Sequence, residues 1–223
     1  MAEQQGLETI TVSRPLRLND RAPAFTARTT IGVRSLSDYQ GKWLLLFSHP
    51  ADFTPVCTSE FVAFEHAADK FRALDCELLG LSADSVYSHL AWTQNIEERF
   101  GVRISFPIIE DLSLSVAEAY GMIDEASVST ATVRSVFFID PQGVVRAQLH
   151  YPMSVGRSVD EMLRVLAALR ATAAGDVVAP EGWTPKAPLL QAPPKTVEEL
   201  RARAEASPQS QRDWYFAEAP HDA

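Results

Sequence analysis

Trp43-Leu-Leu-Leu-Phe-Ser-His-Pro50-Ala-Asp-Phe-Thr54-Pro-Val-Cys57-Thr-Ser-Glu60 carries an unbroken apolar run into a short loop and then a helix start. Trp43 to Ser48 is too short for a helix, and an apolar run of that length reads as a strand buried on both faces. After the loop His49–Thr54, the residues Phe61, Phe64, Ala68, Phe71 and Leu74 recur at spacings of three and four, which predicts a helix from Pro55 to about Leu74. Pro55 suits the first helical position, where a missing N–H costs nothing, and Thr54 becomes the N-cap.

Further along, Glu77-Leu-Leu-Gly-Leu-Ser82 reads as a second buried strand, and Asp84 or Ser85 caps a helix that runs to about Glu98 through Val86, Leu90 and the Trp92 region. The segment Phe106-Pro-Ile-Ile109 and a short helix from about Ser113 to Gly121 follow. Val133–Ile139 and Val144–His150 flank Asp140-Pro-Gln-Gly143, a type I turn sequence, and so read as a hairpin. Ser158-Val-Asp-Glu161 is a capping box, and Met162, Val165, Leu166 and Leu169 form an amphipathic stripe behind it. Past Ala174 the composition changes. Pro180, Pro185, Pro188, Pro193 and Pro194 forbid a regular element, and Thr196-Val-Glu-Glu199 opens a short polar helix. A boundary near residue 175 leaves 48 residues too poor in apolar groups for a core of their own, so this arm lies on its own domain or on a second copy of the chain.

Composition narrows the function classes. The 223 residues include 46% apolar and 22% charged, enough for one sizeable core. A net charge of −9 argues against nucleic-acid or anionic-membrane binding, which draws on Lys and Arg. No run approaches the roughly 20 apolar residues of a membrane span, and Met1-Ala-Glu-Gln-Gln-Gly6 lacks the basic start and apolar core of a signal peptide, so a cytoplasmic location is expected. Two cysteines, Cys57 and Cys76, make neither a disulfide framework nor a Cys-rich zinc site, and no metal or cofactor is expected.

Cys57 falls in the first turn of its helix, among unpaired backbone N–H groups at the positive end of the dipole, a setting that favours thiolate. The competing reading is a small buried hydrophobe, and for Cys76, just ahead of a buried strand, that reading is preferred. An unbroken helix from Pro55 to Leu74 would hold the two sulfurs on the order of 25 Å apart. A disulfide needs α-carbons within about 7 Å. An internal dithiol couple is therefore not expected.

Pro50-x3-Thr54-x2-Cys57, Phe47-Ser-His-Pro50, Asp84-Ser-Val, His89-Leu-Ala-Trp92, Phe106-Pro-Ile-Ile109 and Tyr151-Pro152 leading into Gly156-Arg157 together resemble the peroxiredoxins, in particular the one-cysteine, peroxiredoxin-6-like branch. The likeness covers roughly residues 15 to 195. It implies an α/β, thioredoxin-like fold, a central mixed sheet flanked by helices, over residues 1–175, with residues 176–223 as a dimerisation arm. It implies a thiol-specific peroxidase that reduces hydrogen peroxide and organic hydroperoxides through a cysteine sulfenic acid. An external thiol would resolve that acid, in a homodimer or a higher oligomer. By position it makes Cys57 the nucleophile and Thr54 the hydroxyl that hydrogen-bonds thiolate and peroxide. Arg134 becomes the cation that stabilises both, Pro50 a shield over the pocket and Arg157 a second arginine. His49, beside that proline, is a candidate hydrogen-bond partner of the cysteine.

Some relatives carry arm cysteines near a Trp-Tyr segment, whereas Ser207–Ala217 has none. The Ser and His used by lipase-active relatives correspond to Lys42 and Leu36, and Gly80-Leu-Ser-Ala-Asp84 is not a nucleophile elbow. The alternatives are an oligomeric holdase or redox sensor, resting on aromatic residues of the arm, and a cysteine hydrolase pairing Cys57 with His49 or His66. Neither histidine has an obvious orienting Asn or Asp in the sequence.

Overall fold

The computed structural model describes residues 15–123, 129–206 and 211–219; the Met1–Gly6 segment and Ser207–Ser210 lie outside them. The chain runs β1 (Thr26–Thr29), β2 (Gly32–Ser35), a 3-10 turn (Leu36–Tyr39), β3 (Trp43–Ser48), α1 (Pro55–His66), α2 (Ala68–Ala73) and β4 (Cys76–Ser82). It continues through α3 (Val86–Phe100), β5 (Ile108–Glu110), α4 (Ser115–Ala119), β6 (Arg134–Ile139), β7 (Val145–Tyr151) and α5 (Val159–Ala171). Seven strands form one mixed sheet in the order β2-β1-β5-β4-β3-β6-β7.

β3 is buried at all six positions because both faces of the sheet are covered. Leu45 and Phe47 point into the layer under α1, α3 and α5, with Phe61, Phe64, Trp92, Met162 and Leu166. Leu44 and Leu46 point the other way, toward Tyr120, Phe137 and Ile139. The period-two alternation is therefore present but invisible as hydropathy. β3 pairs in parallel with β4, Trp43 opposite Cys76 and Ser48 opposite Leu81, and antiparallel with β6. The carboxyl ends of β3 and β4 and the start of β6 thus lie at the same end of the sheet's strands, and the loop into α1 leaves from it.

Several local expectations hold. Ser85 caps α3 by accepting from Ser88 N at 3.2 Å, and Gly101, at φ 67, ends it in the left-handed conformation. Asp140 Oδ1 accepts from the N–H groups of Gln142 and Val144 at 2.9 Å each, fixing the β6–β7 turn. Ser158 accepts from Glu161 N at 3.3 Å, but the Glu161 carboxylate is taken by Arg164, so only half the capping box forms.

Others are corrected. The helix expected from Pro55 to Leu74 breaks at Ala67, whose backbone (φ −98, ψ −1) closes α1 and starts α2, yet Phe61, Phe64, Ala68 and Phe71 all stay buried through the break. On α3 the buried residues are Val86, His89, Trp92 and Ile96, and Leu90 is exposed, because His89 rather than Leu90 finds partners inside. The β1–β2 hairpin was not anticipated; its strands are four residues long, and only Thr29 among their residues is buried.

The proline-rich stretch, from which no regular element was expected, contains a two-residue ladder of β8 (Val177–Val178) with β9 (Leu190–Gln191). α6 (Val197–Ala206) and the pair β10 (Gln211–Asp213) and β11 (Phe216–Ala217) follow. Thr196 accepts from Glu199 N as its box predicts, while the Glu199 carboxylate accepts from Lys195 N. Trp183 is buried, its Nε1–H donating to Ala187 O, and its carbonyl accepts from Arg164 of α5, so the segment around Trp183 packs on α5. Among the described residues, no helix is long and apolar enough to cross a membrane.

Candidate active site

Cys57 is the third residue of α1 and fully buried. Thr54 caps the helix through its extended backbone (φ −107, ψ 148), not through its side chain, whose hydroxyl donates to Ala51 O at 2.8 Å. That hydroxyl hydrogen is thereby committed, and its lone pairs remain as acceptors. Pro50, half-buried, opens the loop, and Phe53 takes a left-handed backbone (φ 55) immediately before Thr54.

Arg134, the first residue of β6, brings its guanidinium to the same place. Nη1 donates to Cys57 Sγ at 3.3 Å and to Glu60 Oε2 at 2.8 Å, while Nε and Nη2 donate to Met153 O at 2.9 and 2.8 Å. Arg157 does not bond to the cysteine; its Nε and Nη2 donate to the two oxygens of Glu60 at 2.9 and 2.7 Å. Its backbone N–H adds a third bond to Oε1 at 2.7 Å, and Nη1 spans Ser48 O and Ser135 O. Two guanidinium groups and one carboxylate leave an excess of one positive charge in a buried setting. A thiolate on Cys57 would neutralise it.

Glu60 is the residue that sequence reasoning missed. Burial alone would raise its carboxyl, but the hydrogen bonds and charge of Arg157, joined by Arg134, hold it below the ordinary carboxylate value. The signal open to a reader of the sequence was its position: one turn after Cys57, on the buried stripe with Phe61 and Phe64, an acid stands where an apolar residue is expected.

His49 is fully buried at the end of β3 and has no hydrogen bond to Cys57. Its Nε2 lies 2.9 Å from Asp52 Oδ1, so it does have an orienting carboxylate, three residues on, contrary to the sequence reading. Burial holds its imidazole below the ordinary value although Asp52 acts the other way. His49, Asp52 and His89 bring possible ligand atoms within 4.8 Å of one another, but the contacts among them are hydrogen bonds of 2.8 to 3.1 Å. His66 is exposed at the far end of α1, nine residues beyond Cys57 or about 14 Å of helix axis, so it does not pair with the thiol.

Cys76 starts β4 opposite Trp43, at the other end of the strand pair from Ser48 and Leu81, about 17 Å away along β3. Burial pushes its thiol up to about 12.

The AhpC/TSA family model matches residues 18–148, the span that holds Cys57, Glu60 and Arg134. The chain belongs to the AhpC/TSA family. Its relatives include peroxiredoxin 2 of Picrophilus torridus, 46% identical over 202 residues (91% of this chain, 98% of that one). Peroxiredoxin 2 of Thermoplasma acidophilum is 50% identical over 181 residues (81% and 90%). Among solved structures of the family, the yeast mitochondrial 1-Cys peroxiredoxin shares 38% identity over 92% of this chain and 100% of that one, with a TM-score of 0.79. A cysteine-to-serine mutant of peroxiredoxin 6 of Arenicola marina reaches 31%, 92%, 99% and 0.79. The reduced 2-Cys peroxiredoxin of Plasmodium vivax reaches 32%, 79%, 93% and 0.72. The expected α/β, thioredoxin-like fold is therefore correct, and the chain is a peroxiredoxin-type, thiol-dependent peroxidase.

Proposed function

We propose that the chain reduces hydrogen peroxide and organic hydroperoxides by a one-cysteine mechanism, with Cys57 as nucleophile and an external thiol as reductant. The observation that carries this reading is the bond from Arg134 Nη1 to the buried Cys57 Sγ, within a cluster one negative charge short of neutrality. The thiolate attacks the terminal peroxide oxygen, the S–O bond forms, and the O–O bond breaks with its electron pair leaving on the second oxygen, which takes up a proton. Arg134 stabilises charge on both sulfur and leaving oxygen, and Thr54, whose hydrogen is held by Ala51 O, accepts from the peroxide hydroxyl. Pro50 shields the pocket and Arg157 acts through Glu60.

Sulfenic acid on Cys57 then condenses with an outside thiol, releasing water, and a second thiol displaces the mixed disulfide to regenerate Cys57. The absence of any cysteine but Cys76, and the position of Cys76 at the opposite end of β3, support an external partner. Residues 1–175 act as the peroxidase domain and residues 176–223 as an arm for a second copy; exposed Trp214, Tyr215 and Phe216 favour the latter. The site of action is the cytoplasm.

Peroxide consumption by Cys57→Ser with a small-molecule dithiol as reductant tests the reading. Activity vanishes in the variant if Cys57 is the nucleophile; retained activity sinks the proposal, and a holdase function would survive the substitution.

A further inference from the structure

The amino half of β4 has no strand on its β5 side. Trp43 N–H donates to Asp75 O at 3.0 Å and His49 N–H to Leu81 O at 2.9 Å, so odd-numbered residues of this stretch turn their backbone groups toward β3. Gly80 N–H donates to Pro107 O at 2.9 Å and Ser82 O accepts from Asp111 N–H at 3.0 Å, so even-numbered residues turn theirs toward β5. Pairing with β5 begins only at Gly80, opposite Ile108. Continued two residues back, the ladder would have Leu78 C=O accept from residue 107 and Leu78 N–H donate to Ser105 O. Residue 107 is proline and has no N–H to give. Ser105 is tied elsewhere, its N–H and Oγ both donating to the Glu65 carboxylate of α1, at 2.7 and 3.0 Å. Among the described residues, the N–H and C=O of Leu78 therefore meet no strand on that side.

Beside that gap lies a cavity of about 270 Å³, at the end of β4 remote from Cys57. Leu78, Phe106 and Pro107 form its apolar side. Its charged lining is Arg34, Lys42, Arg72, Asp38 and Glu77, three cations to two carboxylates, which leaves one net positive charge. Lys42 is paired with Glu77 and Arg72 with Asp69, and the Asp38 carboxylate accepts from Ser35 N–H. Arg34 has no ion-pair partner among the described residues; its Nη1 donates to the carbonyl of its neighbour Val33 at 2.9 Å. Tyr39 is more than nine-tenths buried, and its hydroxyl has no hydrogen-bond partner. Tyr39 also borders a neighbouring apolar cavity, but the charges that act on its phenol are those of Arg34, Glu77 and Asp38, which line the first and not the second. The hydroxyl is thus aimed into the cavity beside Leu78. Buried polar groups left without partners are costly, and here a main-chain donor and acceptor, a phenol and a guanidinium converge on one hollow.

We propose that this cavity is a second ligand site, for a small carboxylic acid that also carries a secondary amide. The amide continues the ladder on Leu78, its C=O accepting from Leu78 N–H and its N–H donating to Leu78 C=O or to water. The carboxylate meets the Arg34 guanidinium and accepts from the Tyr39 hydroxyl, and an apolar side chain lies on Phe106 and Pro107. An N-acylated amino acid has this chemistry. The site binds without covalent change and stands apart from the reaction at Cys57.

Titrating the reduced, full-length protein with N-acetyl-leucine, followed by proton–nitrogen correlation spectra, tests the site. The Leu78 amide and the Arg34 Nε–H are expected to shift together on one curve that saturates by about 10 mM, while the Cys57 amide stays still. Isocaproic acid, which lacks the amide, and N-acetyl-leucine amide, which lacks the carboxylate, are each expected to bind at least about tenfold more weakly. Arg34→Gln is expected to weaken N-acetyl-leucine by the same factor. Tyr39→Phe removes a hydroxyl that has no partner in the free protein, so it should weaken binding and leave the melting midpoint where it is. Absence of a saturable shift by about 50 mM overturns the proposal. So does a shift centred on Cys57, equal binding of isocaproic acid, or unchanged binding in Arg34→Gln.

Discussion

Glu60→Gln strikes the cluster at its only carboxylate. Oε1 accepts from the backbone N–H and Nε of Arg157, and Oε2 accepts from Arg157 Nη2 and Arg134 Nη1. An amide placed there turns two of these four bonds into donor–donor contacts whichever way it is flipped. Each lost bond to a charged group costs about 1.5–3 kcal/mol, and breaking a buried ion pair from one side costs about 3–5 kcal/mol, so a loss of about 3–5 kcal/mol is expected. Against a total stability of roughly 5–15 kcal/mol this is large, and it lowers the melting midpoint by roughly 6–20 °C. Urea titration at neutral pH measures it, and the same samples give the rate of peroxide consumption, which falls at least about tenfold as Arg134 Nη1 loses its anchor. The pH dependence supplies a second check. Because Glu60 is depressed in the fold below its ordinary 4.5, its contribution is complete above that value and is lost as pH falls through the folded value. The variant lacks that acid limb. An unfolding free energy within about 0.5 kcal/mol of wild type, with the rate unchanged, would show that Glu60 does not hold the two arginines together.

Arg134→Gln keeps a donor near the sulfur but removes the charge and the second bond to Met153, and stopped-flow peroxide reduction is expected to slow by about 10²–10³. His49 and Asp52 predict a two-stage acid loss of stability. For Asp52, burial would raise the carboxyl, but the hydrogen bonds from His49 and His89 outweigh it and place it at about 2 instead of 3.8. Both groups are depressed in the fold, so stability falls first below 6.5 as His49 is driven to charge, and again between 3.8 and about 2, the second stage worth about 2 kcal/mol. Urea midpoints measured against pH should fall in both windows, and a flat profile contradicts the assignment. Replacing Trp214, Tyr215 and Phe216 together by Ala is expected to shift the protein from dimer to monomer in size-exclusion chromatography with light scattering; an unchanged mass removes these aromatics from the interface.

How much of this was legible in the sequence depends on how local each feature is. β3, the start of α1 at Pro55, the Asp140 turn and α5 behind Ser158 follow from runs, caps and turn residues within a few positions of one another. Arg134 and Arg157 were singled out only through the family likeness, since nothing in their neighbourhoods marks them as buried. Glu60 and His89 sit on helical stripes that otherwise read as apolar, and what holds them there comes from elsewhere: Arg157 is 97 residues beyond Glu60, and Asp52 is 37 before His89. A polar side chain at a core position is a visible anomaly, but its partner is not. The break at Ala67 had no glycine or proline to announce it. The exposure of Leu90 follows from the inward turn of His89, which hydropathy ranks the other way.

Whether Cys57 works without a partner thiol in its own chain is decided by mass spectrometry after one equivalent of peroxide. With a sulfenic-acid trap present, a single adduct on Cys57 is expected, with Cys76 unmodified because burial holds its thiol at about 12 and β3 separates it from the site. A Cys57–Cys76 disulfide, or an adduct on Cys76 in place of Cys57, would overturn the one-cysteine mechanism.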